Sequence, residues 1–171
     1  MYRVIQFWWA LTARVDAAEL ASVSPLLGPH GLELFRRMSR RDQRHCLNVY
    51  LTLRAQGYKD PVLLTAGLLH DVGKAARPIP LLYRVAVTLL QAFSPQVLAY
   101  LAAQGRHRLL EPFQIAQEHA EIGAHMLRDA GLPVPVVELV RHHHGCSETQ
   151  QGPAGPLAEL VSALRQADGA N

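Results

Sequence analysis

The 171-residue chain is long enough to bury a core without disulfides and short enough that one domain is the simplest arrangement. Hydrophobic residues make up 49% of it and charged residues 18%, which excludes an intrinsically disordered chain. A formal net charge of +3 leans toward anionic partners without choosing among them, while two cysteines with no CxxC spacing exclude a disulfide framework and a cysteine zinc site.

Residues 1–11, with Trp8 and Trp9, read as an amphipathic helix, since no signal-cleavage pattern is present and Arg14 and Asp16 follow closely. From there on apolar residues recur at helical spacing, and no alternating β-branched run lies between turn signals. The expected fold is therefore all-α, a single-domain bundle of about eight helices. Breaks are expected at Gly28-Pro29, Gly57, Gly73, residues 78–80, Ser94-Pro95, Gly105, residues 131–135 and the loop 145–156. Asp60-Pro61 and Ser94-Pro95 each predict an N-cap followed by proline at the first helical position. Residues 157–167 form a closing helix. Residues 1–39 are expected to be a helical extension packed on a domain of residues 40–171. The longest apolar run, 85–93, is interrupted by Thr88 and Gln91 and falls short of the roughly 20 residues a span requires. No membrane partner is expected, and a reducing cytoplasm fits the cysteine usage.

The helix over 61–71 is apolar on nearly every side, yet it ends in His70 and Asp71 before Gly73 closes it. A carboxylate at the C-terminal end of a buried helix meets both desolvation and an unfavourable dipole, so it should be found with a cation. A satisfied polar turn explains this pair alone equally well. Further histidines shift the balance: His45 shares a helix side with Val49 and Thr52, His119 opens a helix with Ile122 and Met126 on its side, His142, His143 and His144 end another helix, and Asp168 ends the last. Imidazole with carboxylate suits Fe, Mn, Co, Ni or Zn, and a carboxylate shared between two ions, here Asp71, is the usual bridge in two-metal hydrolases.

The series His45, LLHDVGK from Leu68 to Lys74, HAEIGA from His119, VRHHHG and QAD ending at Asp168 resembles the HD superfamily of metal-dependent phosphohydrolases over roughly residues 40 to 168. The resemblance implies a helical fold and one metal held by His45, His70, Asp71 and Asp168. It also implies a second metal held by His119, His143 and His144, with Asp71 bridging; beyond the resemblance, Asp71 and Lys74 are expected to be the catalytic groups, Lys74 as proton donor to the leaving oxygen. The cofactors implied are divalent ions, two of them, of a kind the sequence does not choose among Fe, Mn, Co, Ni, Zn and Mg. The partner implied is a small phosphorylated substrate of nucleotide type, cleaved as a phosphodiester or phosphomonoester. The GYP motif of one phosphodiesterase subgroup is replaced here by GCSETQQGPAGP, and Arg41 stands where some members place a Glu for a third metal.

If the helix bearing His45 extends back far enough, Arg37 and Arg41 share its face at four-residue steps and, with Lys74, grip a substrate phosphate. A solvated basic face over residues 36–44 is the plainer account of that run. His30, His107 and His125 are expected outside the site, Cys146 is expected to be a spectator, and His142 competes with Lys74 as donor to the leaving oxygen. Arg77, Arg84 and the helices over 80–104 form a lid or complete the core. Two alternatives stay open: a one-metal phosphomonoesterase and a nucleotide-sensing module without turnover. Nucleic-acid binding lacks any reader motif.

Overall fold

The computed structural model describes residues 15–77, 80–104, 109–144 and 155–171, with the side chains of Leu81 and Arg84 left aside. The expected N-terminal helix over 1–11, His107, Cys146, the Arg84 side chain and most of the 145–156 loop lie outside the described residues. Within them the chain is all-α, as periodicity predicts: eight α-helices and one 3-10 turn, with no strand.

Helix α1 (Ala17–Arg37) starts on a capping box, in which Asp16 accepts from Glu19 N and Glu19 accepts from Asp16 N. The predicted break at Gly28-Pro29 is a kink inside this helix, where Gly28 takes φ 63°, a left-handed value that costs glycine least. Met38 and Ser39 are extended, and Ser39 caps α2 (Arg40–Ala55) by accepting from Asp42 N. The helix bearing His45 therefore does not run back to Arg37. That residue ends α1, is exposed, and lines a cavity of about 520 Å³ with His30 and Asp129, so the shared face proposed for Arg37, Arg41 and His45 is corrected to Arg41 and His45 alone.

Helix α3 (Pro61–Leu69) begins as predicted, with the Asp60 carboxylate accepting from Val62 N at 2.7 Å and Leu63 N at 3.2 Å. Every residue from Leu63 to Leu69 is buried, because α1, α2, α7 and α8 pack around it. Leu64, Leu68 and Leu69 meet Phe35, Leu53, Val140 and Leu164 in one core, which Val23, Leu27 and Leu34 of α1 share. Each fully buried large side chain contributes about 1.5–3 kcal/mol, so α3 is the axis on which the fold is assembled. The 3-10 turn Val72–Ala75 follows it directly.

Helices α4 (Leu81–Phe93) and α5 (Pro95–Ala103) form a hairpin over a second, smaller core of Leu98, Ala102 and Phe113. Ser94 separates them as predicted but makes no side-chain cap bond; with φ −153° and ψ 65° it instead ends α4 through its backbone N–H to Leu90 O. Helix α6 (Glu111–Asp129) begins eight residues before His119, which is thus a mid-helix residue and does not open it. Helix α7 (Val134–His142) and helix α8 (Pro156–Gly169) complete the bundle. Asn171 ties the end of α8 to α2 by donating to Thr52 Oγ1 at 3.0 Å.

Candidate metal centre

Five elements deliver polar side chains to one place. Helix α2 brings His45, the end of α3 brings His70 and Asp71, α6 brings His119, the end of α7 brings His143 and His144, and α8 brings Asp168. Asp71 lies at the centre, almost fully buried. Its Oδ1 is 3.4 Å from His119 Nε2 and 4.0 Å from His143 Nε2; its Oδ2 is 3.8 Å from His70 Nε2, 3.9 Å from His45 Nε2 and 2.6 Å from Lys74 Nζ, which donates to it. Asp168 Oδ1 approaches His45 Nε2 at 2.8 Å and His70 Nε2 at 3.4 Å, and those two nitrogens are 3.3 Å apart.

One local device aims three of the rings. His70, His119 and His143 each place Nδ1 against the carbonyl three residues earlier, at Gly67 (3.0 Å), Ala116 (2.8 Å) and Val140 (2.6 Å). A carbonyl only accepts, so Nδ1 carries the proton and Nε2 presents its lone pair to the centre, the tautomer a metal-binding imidazole needs. His144 stacks edge-on against His119, with ring centroids 4.4 Å apart, and reaches the solvent side.

The arrangement of acceptors is the test of whether an ion fits. His119 Nε2 and His143 Nε2 are buried with no hydrogen-bond partner, although buried polar atoms are rarely left unpaired. What faces them is a carboxylate oxygen, another acceptor, and lone pairs held 3.4 Å apart repel unless a cation lies between them. Among the described residues the ligand atoms of His119, His143 and His144, and those of His45, His70 and Asp168, each lie within 4.8 Å of one another. Two adjoining groups around one carboxylate fit divalent ions.

The charges agree. Burial opposes ionisation of Asp71, but Lys74 above all outweighs it and holds the carboxyl well below its ordinary value. Asp168, also opposed by burial, is drawn low by its contacts with His45 and His70. Burial and nearby Lys74 push His119 down to about 3, and burial with neighbouring imidazoles pushes His143 well below the usual histidine value, so both stay neutral donors of a lone pair. His144 is lowered by burial and by Lys74. For His70 burial is outweighed by the carboxylates of Asp71 and Asp168, which raise the ring above its ordinary value until a cation takes its Nε2 lone pair. Cys46, 3.6 Å from His70 Nδ1, is pushed up by burial and stays a thiol that packs against the ring. The centre has a closed floor of His70, Asp71, His119 and His143 and a more open rim of His45, Lys74, His144 and Asp168.

Two structural features hold these parts in register. Gly73 in the 3-10 turn touches the α6 backbone so closely that a Cβ there would lie 1.9 Å from His119 O and 2.7 Å from Gly123 N. This contact sets Asp71 against His119. Arg165 of α8 donates to the carbonyls of His142 (2.7 Å), His143 (3.1 Å) and His144 (3.0 Å), fixing the end of α7 that carries two of the rings. Neither role was visible in the sequence: Arg165 sits in a pattern that reads as a solvent-facing helix, although a basic residue near a histidine-bearing helix end is the signal to seek.

The remaining predicted residues are placed as follows. Arg41 lies on α2 one turn before His45. His125 is exposed and pairs with Glu121 at 3.2 Å, and His142 turns to Glu138 at 3.6 Å, so His142 is engaged outside the centre. Arg77 pairs with Glu111 at 3.0 Å, joining the turn after Lys74 to the start of α6. No helix among the described residues is long and apolar enough to cross a membrane. No curated protein and no solved structure matches the chain. The family model for the HD domain matches residues 43–169, which span the centre from His45 to Asp168. With three quarters of its length under that match, the chain belongs to the HD domain family, whose members are in general metal-dependent hydrolases.

Proposed function

We propose that the chain is a phosphohydrolase that cleaves a nucleotide-type phosphodiester or phosphomonoester at a two-metal centre. One ion is assigned to His45, His70, Asp71 and Asp168, and the second to His119, His143 and His144, with Asp71 shared. The observation that carries this reading is the pair of buried, unpartnered Nε2 atoms on His119 and His143 facing Asp71 Oδ1. A one-metal phosphomonoesterase would need only the first group and would leave those two nitrogens without purpose. Residues up to 39 are taken as an extension outside the family module.

Divalent ions bound there supply positive charge to phosphoryl oxygens and activate water as the nucleophile. The protein's own groups prepare the site. Lys74 neutralises Asp71 Oδ2 and leaves Oδ1 turned toward the histidine pair. Burial opposes the Lys74 charge, but Asp71 outweighs it and holds the amine above its ordinary value, so Lys74 keeps a proton at Nζ for a phosphoryl or leaving oxygen. Arg41, on the His45 side of α2, is assigned to the substrate phosphate, and the exposed rim gives that substrate its entry.

The test is metal analysis of protein purified without chelator, together with turnover of cyclic dinucleotides, nucleoside monophosphates and a generic phosphodiester. Two ions per chain and hydrolysis of at least one ester are expected, and Asp71→Asn should remove both. One ion per chain would leave only the phosphomonoesterase, and full metal content with no turnover of any ester would leave a sensing module.

A further inference from the structure

Consecutive residues of α2 hold the two edges of the His70 ring. At one edge Nε2 lies 3.3 Å from His45 Nε2 and 3.4 Å from Asp168 Oδ1, inside the centre. At the other edge Nδ1 lies 3.0 Å from Gly67 O and 3.6 Å from Cys46 Sγ. Neighbours on a helix point about 100° apart, so His45 enters from the half-buried rim while Cys46, with no exposed surface, meets the same ring from the core side.

The donor atoms of Cys46, His70 and Asp71 lie within 4.8 Å of one another, yet they do not make a further ion site. His70 Nδ1 donates its proton to Gly67 O, and burial keeps the thiol from ionising. What Cys46 supplies is a large, soft acceptor. Two N–H groups, the His70 Nδ1–H and the backbone N–H of Asp71, are turned toward its sulfur. Such contacts are individually weak, and their worth is geometric. His70 and Asp71 are consecutive at the end of a buried helix, so one sulfur against the ring of the first and the main chain of the second fixes both at once.

Given the metal centre proposed above, we infer that Cys46 is a positioning residue for it: the sulfur sets the tilt of the His70 ring and the main chain of Asp71, so that Nε2 and the carboxylate face one ion together. Cys46 gives that ion no ligand. Its neighbour His45 does, which makes a single turn of α2 the source of one ligand and of the support for the two ligands opposite it.

The experiment compares Cys46→Ala, Cys46→Val and Cys46→Ser with the wild-type full chain by Mn²⁺ affinity, amide hydrogen exchange without metal, and melting temperature. Alanine leaves a void beside the ring, valine overfills the space, and neither accepts a hydrogen bond, whereas serine does. Losing a group that orients metal ligands costs about 10- to 100-fold in affinity. Cys46→Ala and Cys46→Val should therefore both bind the first Mn²⁺ at least about tenfold more weakly, and Cys46→Ser should recover most of the loss. If one of the two apolar variants does not fold, the other carries the comparison. Without metal, the Asp71 amide should exchange faster in those variants beyond any change at Leu68, whose amide inside α3 follows global stability. A loss of packing alone would speed both amides equally. Wild-type affinity in Cys46→Ala or Cys46→Val, no recovery by Cys46→Ser, or an equal change at the two amides would overturn the inference while leaving the metal centre standing. A wild-type chain that takes up no Mn²⁺ would overturn both.

Discussion

Replacing Gly73 by alanine tests the link between fold and site at its tightest point. The added Cβ would lie 1.9 Å from His119 O, where real contacts essentially never fall below 3.0 Å, so the 3-10 turn and α6 must separate by more than about 1 Å. Both partners are backbone, so no side chain can swing aside. Overpacking of this kind costs about 1–3 kcal/mol and, with backbone on each side, the upper half of that range applies. For a chain of this size that is a fall of about 5–10 °C in melting temperature. The separation also carries Asp71 away from His119, now 3.4 Å apart, and an error of that size in ligand placement should weaken divalent-metal affinity at least about tenfold. Gly31→Ala in α1 is the control, because its Cβ would meet only the Leu27 and Leu69 side chains at ordinary contacts of 3.5–3.6 Å, and a helical glycine replaced by alanine is neutral or gains up to about 1 kcal/mol. Scanning calorimetry and metal titration on the two variants decide the matter. If Gly73→Ala melts with the wild type and binds metal as well, the close approach does not position the site and the reasoning fails.

Arg165→Ala should destabilise by about 1.5–3 kcal/mol through its lost charged hydrogen bonds, and metal analysis should show depletion of the His119, His143 and His144 group before the other. Arg165→Lys should restore part of the metal content, which a purely structural effect of truncation would not predict. Chelator should lower the melting temperature and added metal raise it, by about 2.7 kcal/mol of stabilisation at a hundredfold excess over the dissociation constant, and an unchanged melt would contradict a site in the folded state. Glu19 is held below its ordinary carboxyl value chiefly by its bonds with Arg44 and with the Asp16 backbone. The folded state therefore favours the ionised form, and this increment is present above about pH 4.5 and lost as pH falls through the lowered value. Because the pair is partly exposed it is worth less than about 1 kcal/mol, so Glu19→Gln should melt slightly lower than wild type at pH 7 and the gap should close as pH falls below about 4.5 through the lowered value, and a gap that does not shrink in acid would rule the pair out as its source.

The helical fold was legible because its signals are local. Helical spacing, Asp60-Pro61 and the breaks at Gly57 and Gly131 depend on neighbours in sequence, and the structure carries them into α2, α3, α6 and α7. The centre was legible because its residues are unusual for their places: an Asp at the end of a helix buried on all sides, and histidines on inward faces. The break at Ser39 also has a local signal, since Ser39 with Asp42 three residues on is an N-cap pattern, set inside the basic run from Arg36 to Arg44. Likewise Glu111-Pro112 announces the true start of α6. What no local pattern carries is tertiary approach. Gly73 against His119, and Arg165 against the three histidine carbonyls, join residues far apart in the chain, and each looks ordinary among its own neighbours.

Crystals grown with Mn²⁺ and measured for anomalous scattering would examine the centre itself. Two peaks are predicted, one in contact with His45, His70 and Asp168 and the other with His119, His143 and His144, with an Asp71 oxygen reaching each. A map with no peak beside Asp71, or with the His119 and His143 Nε2 atoms bonded to protein groups alone, would contradict the claim that these buried acceptors exist to hold metal.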